Sequence, residues 1–168
     1  MKLTFALEPD TPGRLLLRAA WCNFAIVSLG ALLYAAGLKM LEVSLALVCL
    51  ASLVLGLIVW TVAFLSALGR TTRGDEIAVS NWVFLAGSAP VAVRTQFLCN
   101  AALLFIVTCA TTASNPFVWL ANLLPLGLSA LWSSRHGTFP ARHAIHGRGA
   151  QQVQDATGQD APRGRPSK

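Results

Sequence analysis

Charged residues along this chain stand in clusters, and the intervals between the clusters are long and apolar. Between Arg18 and Lys39 the run AAWCNFAIVSLGALLYAAGL carries no charge. At about 1.5 Å per residue such a run matches the ~30 Å hydrocarbon core of a bilayer, which predicts a transmembrane helix over residues 19–38. A second uncharged run fills the interval from Glu42 to Arg70. It exceeds the ~20 residues a span requires, so a helix over 43–68 must tilt or project beyond the membrane. Two more runs, TQFLCNAALLFIVTCATTAS and FVWLANLLPLGLSALWSS, are separated by Asn115-Pro116. They predict helices over 95–114 and 117–134, the turn lying at the Asn-Pro pair and a kink at Pro125.

Composition agrees with the pattern. Hydrophobic residues make up 55% of the 168 positions and charged residues 12%, against about 25% charged in soluble domains, and the mean hydropathy is +0.60. These values exclude a soluble globular domain and a chain disordered throughout. The four cysteines are dispersed in apolar context without CxxC spacing, so they read as buried free thiols. A cleavable signal peptide is the rival reading of the first run. That run is longer than the ~7 to 15 residues of a signal core, and a second apolar run follows within four residues, as in a helical hairpin. The expected fold class is all-α: a polytopic membrane protein with four transmembrane helices in two hairpins.

Four spans put both termini and the 70–94 loop on one side of the membrane. Of the 13 basic residues, that side holds all but Lys39. The positive-inside rule then makes it cytoplasmic, at the plasma membrane. Trp21 and Trp132 are expected at the inner interface and Tyr34 and Trp119 at the outer one. The net charge of +6 thus reports topology and attraction to anionic lipid headgroups, worth about 1 kcal/mol per basic residue near the surface. It does not point to nucleic acid. Residues 1–18 form a cytoplasmic segment, and residues 135–168, rich in Gly, Gln, Ala and Pro toward their end, read as a mostly disordered tail.

The 70–94 loop is too apolar to be only a linker. Ile77, Val79, Trp82, Val83, Phe84 and Leu85 precede Gly87-Ser88-Ala89-Pro90, which predicts a short interfacial helix over about 76–87, with Ser88 capping the next helix. Trp82 and Phe84 are the natural anchors for a partner, since aromatic residues dominate interface energetics.

Three strings, Thr72-Arg73-Gly74-Asp75, then Gly87-Ser88-Ala89-Pro90 with Val93-Arg94, then Arg135-His136-Gly137 with Phe139-Pro140 and Arg142, together resemble a family of small actinobacterial four-helix membrane proteins. The resemblance covers roughly residues 13–142. It implies the four-helix fold and an envelope location, and it brings no activity, ligand or catalytic residue.

Chemistry inside the spans is sparse. None of the four carries a charged residue, which disfavours a proton-coupled transporter. Asn23, Asn100 and Asn122 can bond across helices. The first two share the strings Cys22-Asn23 and Cys99-Asn100. No nucleophile elbow, P-loop or dinucleotide fingerprint is present, and the three histidines lack cysteine ligands nearby, so no cofactor, metal or catalytic residue is expected. Glu42 is expected to form a solvated pair with Lys39. On the cytoplasmic face Arg73, Asp75, Arg94, Arg135 and His136 lie close to span ends, and Asp75 is expected to pair with Arg94 or Arg135. The expected function is that of a non-enzymatic accessory or assembly subunit of a larger membrane complex, with a protein partner or a second copy of itself. A small oligomeric transporter or channel is the alternative.

Overall fold

The computed structural model describes residues 11–113 and 115–141; the expected disorder of the tail beyond residue 141 falls outside them. Four helices are long and apolar enough to cross a membrane: 14–35, 39–71, 91–111 and 116–136. The chain is an all-α, multi-pass membrane protein on that evidence.

Helix α1 runs Arg14–Ala35, starting five residues before the expected boundary. Hydropathy marks the part of a helix that sits in hydrocarbon, whereas i to i−4 hydrogen bonding continues through Arg14 and Arg18 into the polar zone. Its end is closed by Gly37 at φ 108, whose N–H donates to the Tyr34 carbonyl at 3.1 Å. Helix α2 follows a single 3₁₀ turn and runs Glu42–Thr71; thirty residues at ~1.5 Å each make it about 45 Å long, well beyond the hydrocarbon thickness. Helix α3 is one turn, Val79–Trp82, and α4 runs Val91–Thr111 behind Pro90. The last span changes type: a 3₁₀ segment covers Pro116–Asn122, capped by the Asn115 side chain on the Phe117 N–H at 3.0 Å, and α5 takes over at Leu123–His136. Pro125 therefore stands in the first turn of an α-helix, where its missing donor has no intrahelical partner to lose.

The packing is not that of two self-contained hairpins. The most extensive contacts join α2 to α5 and to the 3₁₀ segment before it, followed by α1 with α4; α1 and α2 touch less, and among the described residues the backbones of α2 and α4 do not come close. Both major pairs run in the same direction. Leu17 and Ala20 cluster with Val93 and Phe97 at one end, while Val27 and Ala31 cluster with Leu104 further along. Likewise Gly56 meets Leu123 and Leu124, and Ala63 and Ala67 meet Ala130 and Leu131. Small residues on α2 permit this: a Cβ on Gly56 would lie 3.0 Å from the Leu124 backbone nitrogen, and one on Gly127 would lie 3.3 Å from the Gly56 carbonyl oxygen. Backbones this close gain dispersion contacts that do not depend on water. The last span is consequently the central one, with 67% of its most apolar stretch buried against 22% for the second.

Polar bonds cross between the helices at more than one depth. Ser52 on α2 donates to Asn23 Oδ1 on α1 at 2.8 Å, and Asn100 Nδ2 on α4 donates to the Ala20 carbonyl of α1 at 3.2 Å. Asn122 Nδ2 donates to Thr108 Oγ1 of α4 at 3.1 Å and to the Trp119 carbonyl at 3.2 Å. Each asparagine thus joins two helices or a helix and the 3₁₀ segment, and the Cys22-Asn23 and Cys99-Asn100 strings lie on adjoining parallel helices. Interhelical bonds of this kind couple by about 0.6 kcal/mol on average and up to ~1.7 kcal/mol. A double-mutant cycle on Asn23→Leu and Ser52→Ala, read from unfolding in lipid nanodiscs, should return a coupling in that range; strictly additive losses would show that the two side chains do not share a bond.

Candidate functional site

The end of the bundle that carries the arginines is organised around Arg70, the last basic residue of α2. After Thr71 the chain turns back through Gly74 at φ 98, a left-handed conformation that glycine adopts without a Cβ clash. The Asp75 N–H reaches the Arg70 carbonyl at 3.3 Å, and the returning chain brings Asp75 Oδ2 to 2.7 Å from Arg70 Nε, the one ion pair among the described residues. Arg70 Nη1 donates to the Gly137 carbonyl at 2.8 Å and the Ser134 carbonyl at 3.3 Å. These are acceptors that the end of α5 leaves without an intrahelical donor, at the terminus where the helix dipole favours a cation. The guanidinium also lies over the Phe139 ring, 4.6 Å from its centroid. Beside it, the Glu76 N–H donates to the Pro140 carbonyl at 2.9 Å, and Asp75 forms an isolated antiparallel bridge with Ala141.

The loop that follows folds into the protein. In place of a helix over 76–87 there is only the single turn α3, started by the Ala78 N–H on Asn81 Oδ1 at 2.8 Å. Beyond it the backbone takes a left-handed conformation at Leu85, φ 56. A branched side chain disfavours that region, and packing must hold it there; Leu85 is fully buried beside Phe97 and Trp132. Trp82 enters the seam between α2 and α5, where the alanines at 63, 67 and 130 leave room for an indole, and it stands edge-on to Trp60 with centroids 5.2 Å apart. Hydroxyls from α5 hold the loop by its carbonyls: Ser129 donates to Val83 at 3.0 Å and Ser133 to Asn81 at 3.0 Å. Ser88 donates to Asn81 as well, so it does not cap α4, and its own carbonyl accepts from the Thr138 N–H at 3.0 Å.

The expected five-residue cluster is therefore redrawn. Asp75 pairs with Arg70, not with Arg94 or Arg135, because the tight turn at Gly74 delivers it to the helix it has just left. Arg73, Arg94 and Arg135 are exposed. His136 is exposed too, its ring tilted against Trp132 at 5.7 Å. Of the two expected docking anchors, Trp82 is 9% exposed and packed inside, while Phe84 is 49% exposed. Trp132 is core, not an interfacial anchor: it is 2% exposed and its Nε1 donates to the Pro12 carbonyl at 2.8 Å. At the opposite end Lys39 Nζ stands 4.1 Å from the centroid of the Tyr34 ring, and no ion pair joins it to Glu42 among the described residues.

Arg70, Ser129 and Ser133 are the site residues that sequence reasoning passed over, and Phe139 figured there only in a string that carries the resemblance. Arg70 carried a signal, since it ends an apolar run five residues before an aspartate across a glycine turn. The serines carried none, because a hydroxyl on a helix reads equally as a local cap. In sum, the arrangement ties three loop segments to the ends of α2 and α5 and presents a rim of free-standing arginines around them. Comparison of the chain with protein-family models, with curated proteins and with solved structures finds no match in any of the three.

Proposed function

We propose that the protein is a non-enzymatic accessory or assembly subunit of a larger membrane complex, docking through its arginine-rich end. The observation that supports this is the built character of that end: an exposed Phe84 and Arg73 on a loop clamped by Arg70 and the α5 serines stand beside exposed Arg94 on α4 and Arg135 on α5. A rigid platform of this kind loses little conformational freedom on binding. An anionic surface, of lipid headgroups or of a partner, complements the rim. The proposed kinship with the actinobacterial four-helix family is supported by the same place, since Asp75, Ser88, Gly137 and Phe139-Pro140 come from all three strings that carry the resemblance. Purification in mild detergent followed by mass spectrometry tests the function. A stoichiometric partner retained by the native chain and lost on Phe84→Ala with Arg94→Gln supports it; recovery of self-oligomers alone contradicts it.

A second reading, a small oligomeric transporter or channel, rests on Asn23 Nδ2, Ser28 Oγ and Asn100 Oδ1, buried polar atoms without a partner in the bundle interior. Uptake by reconstituted vesicles that Asn100→Leu abolishes would favour it over the first.

In either case the arginine-rich end faces the cytoplasm. With the native cysteines replaced, a membrane-impermeant maleimide applied to intact cells should label Met40→Cys, at a position 86% exposed, and leave Thr72→Cys untouched. The reverse labelling would invert the topology.

A further inference from the structure

The end of the bundle away from the arginines carries two charged residues, Lys39 and Glu42. With Lys39 drawn to the face of Tyr34, the exposed Glu42 carboxylate stands at the head of an open groove of about 340 Å³. One wall is the stripe Val43, Ala46, Leu47 and Leu50 of α2; the other is Phe117 and Leu120 of the 3₁₀ segment. The groove follows from the two helix types. An i, i+3, i+4, i+7 stripe forms one face of an α-helix, whereas residues three apart eclipse in a 3₁₀-helix, so Phe117 and Leu120 stack in a single narrow row. From Glu42 to Leu50 the stripe is about 12 Å long at ~1.5 Å per residue. Its walls face outward, with Val43 70%, Leu47 60% and Phe117 52% exposed.

We infer that this groove binds a membrane lipid with an ammonium headgroup, its acyl chain along the stripe and its ammonium on the Glu42 carboxylate. Three features select this occupant. Its walls are outward-facing apolar residues of two candidate membrane spans, so in a bilayer hydrocarbon is the medium that meets it. Its polar end offers one anion, with Lys39 drawn to Tyr34, which favours a zwitterionic headgroup ending in an ammonium over one of net negative charge. The anion and the apolar stripe are contiguous on one helix, so a single molecule charged at one end and apolar beyond it meets both at once.

Native mass spectrometry of the full chain in mild detergent tests this, with phosphatidylethanolamine and phosphatidylglycerol of identical acyl chains supplied in equal amounts. The native protein should retain phosphatidylethanolamine in preference. Glu42→Gln should lower that retention about two- to fivefold, the range expected of an exposed ion pair, with phosphatidylglycerol little changed. Ala46→Phe, which fills the groove and keeps the charge, should also lower it. Because Glu42 is exposed and makes no ion pair among the described residues, its variant should melt close to the native protein, which keeps the test decisive even where Ala46→Phe perturbs packing. Retention unmoved by Glu42→Gln, a preference for phosphatidylglycerol, or a dimer that Ala46→Phe dissociates would overturn the inference.

Discussion

Replacing Gly56 by leucine is expected to lower the unfolding free energy in lipid nanodiscs by about 3 kcal/mol, the upper part of the range for overpacking a closely packed site. Two effects compete at this position. Helix propensity alone favours every side chain but proline over glycine, by up to ~1 kcal/mol for alanine. Against it stands the α5 backbone, with the Leu124 nitrogen 3.0 Å and the Leu123 carbonyl carbon 3.1 Å from an added Cβ. Backbone cannot rotate aside as a side chain can, so the steric effect wins. Gly69, on the same helix, separates the two effects, because a Cβ there would meet nothing within 4 Å. Gly69→Ala should therefore stabilise by a fraction of that ~1 kcal/mol while Gly56→Ala destabilises. Equal responses at the two glycines would mean that α2 and α5 do not approach closely.

Arg70→Gln should cost about 2 kcal/mol, and its effect should be local. Hydrogen bonds to charged groups are worth roughly 1.5–3 kcal/mol. The Arg70–Asp75 pair, with side chains 25% and 28% exposed, is partly screened by water, so its share is discounted. Glutamine cannot reach Asp75 and the α5 carbonyls together. Hydrogen exchange should accelerate at the amides of Glu76 and Thr138, whose acceptors lie on the tail and the loop, while the middle of α1 and α4 keeps its protection. Arg70→Lys is the informative control: it preserves the charge, yet an ammonium is a point donor without the planar fork that serves several acceptors at once. If lysine restores the native exchange pattern in full, attraction alone holds the end together and the hydrogen-bonded geometry is incidental.

Much of the fold was legible because a bilayer imposes a simple rule, and residues such as Leu29, Leu47 and Ile106, outward-facing and apolar, obey it. The rule weakens wherever a segment has two apolar environments to choose from. Trp82 and Leu85 are as suited to an interfacial helix as to a protein seam, and composition does not distinguish lipid from the space between Ala63 and Ala130. Trp132 suffers the same ambiguity, resolved only by the Pro12 carbonyl more than a hundred positions away. The expected charge cluster failed for another reason. Depth in the membrane brought Asp75 near several arginines in projection, but a pairing is decided by backbone direction, here by the left-handed turn at Gly74. The three asparagines could be named from sequence as cross-helix donors, whereas their partners, a serine, a backbone carbonyl and a threonine, depended on which helices adjoin.

The in-register pairing of α1 with α4 and of α2 with α5 has a consequence for biosynthesis. Partners in these seams are separated by about 67 to 80 positions, as with Arg70 and Gly137 or Ala20 and Asn100, so no major seam can close while only the first hairpin has left the ribosome. During that interval Asn23, Ser52 and the Gly56 face lie in the bilayer with half of their surroundings missing. The first hairpin is thus a waiting template, and the second arrives as a clasp that locks all four spans in one late step. A chain interrupted in the 76–90 loop leaves behind an inserted but uncommitted half, with its small-residue face open to other transmembrane helices and to the proteases that survey them.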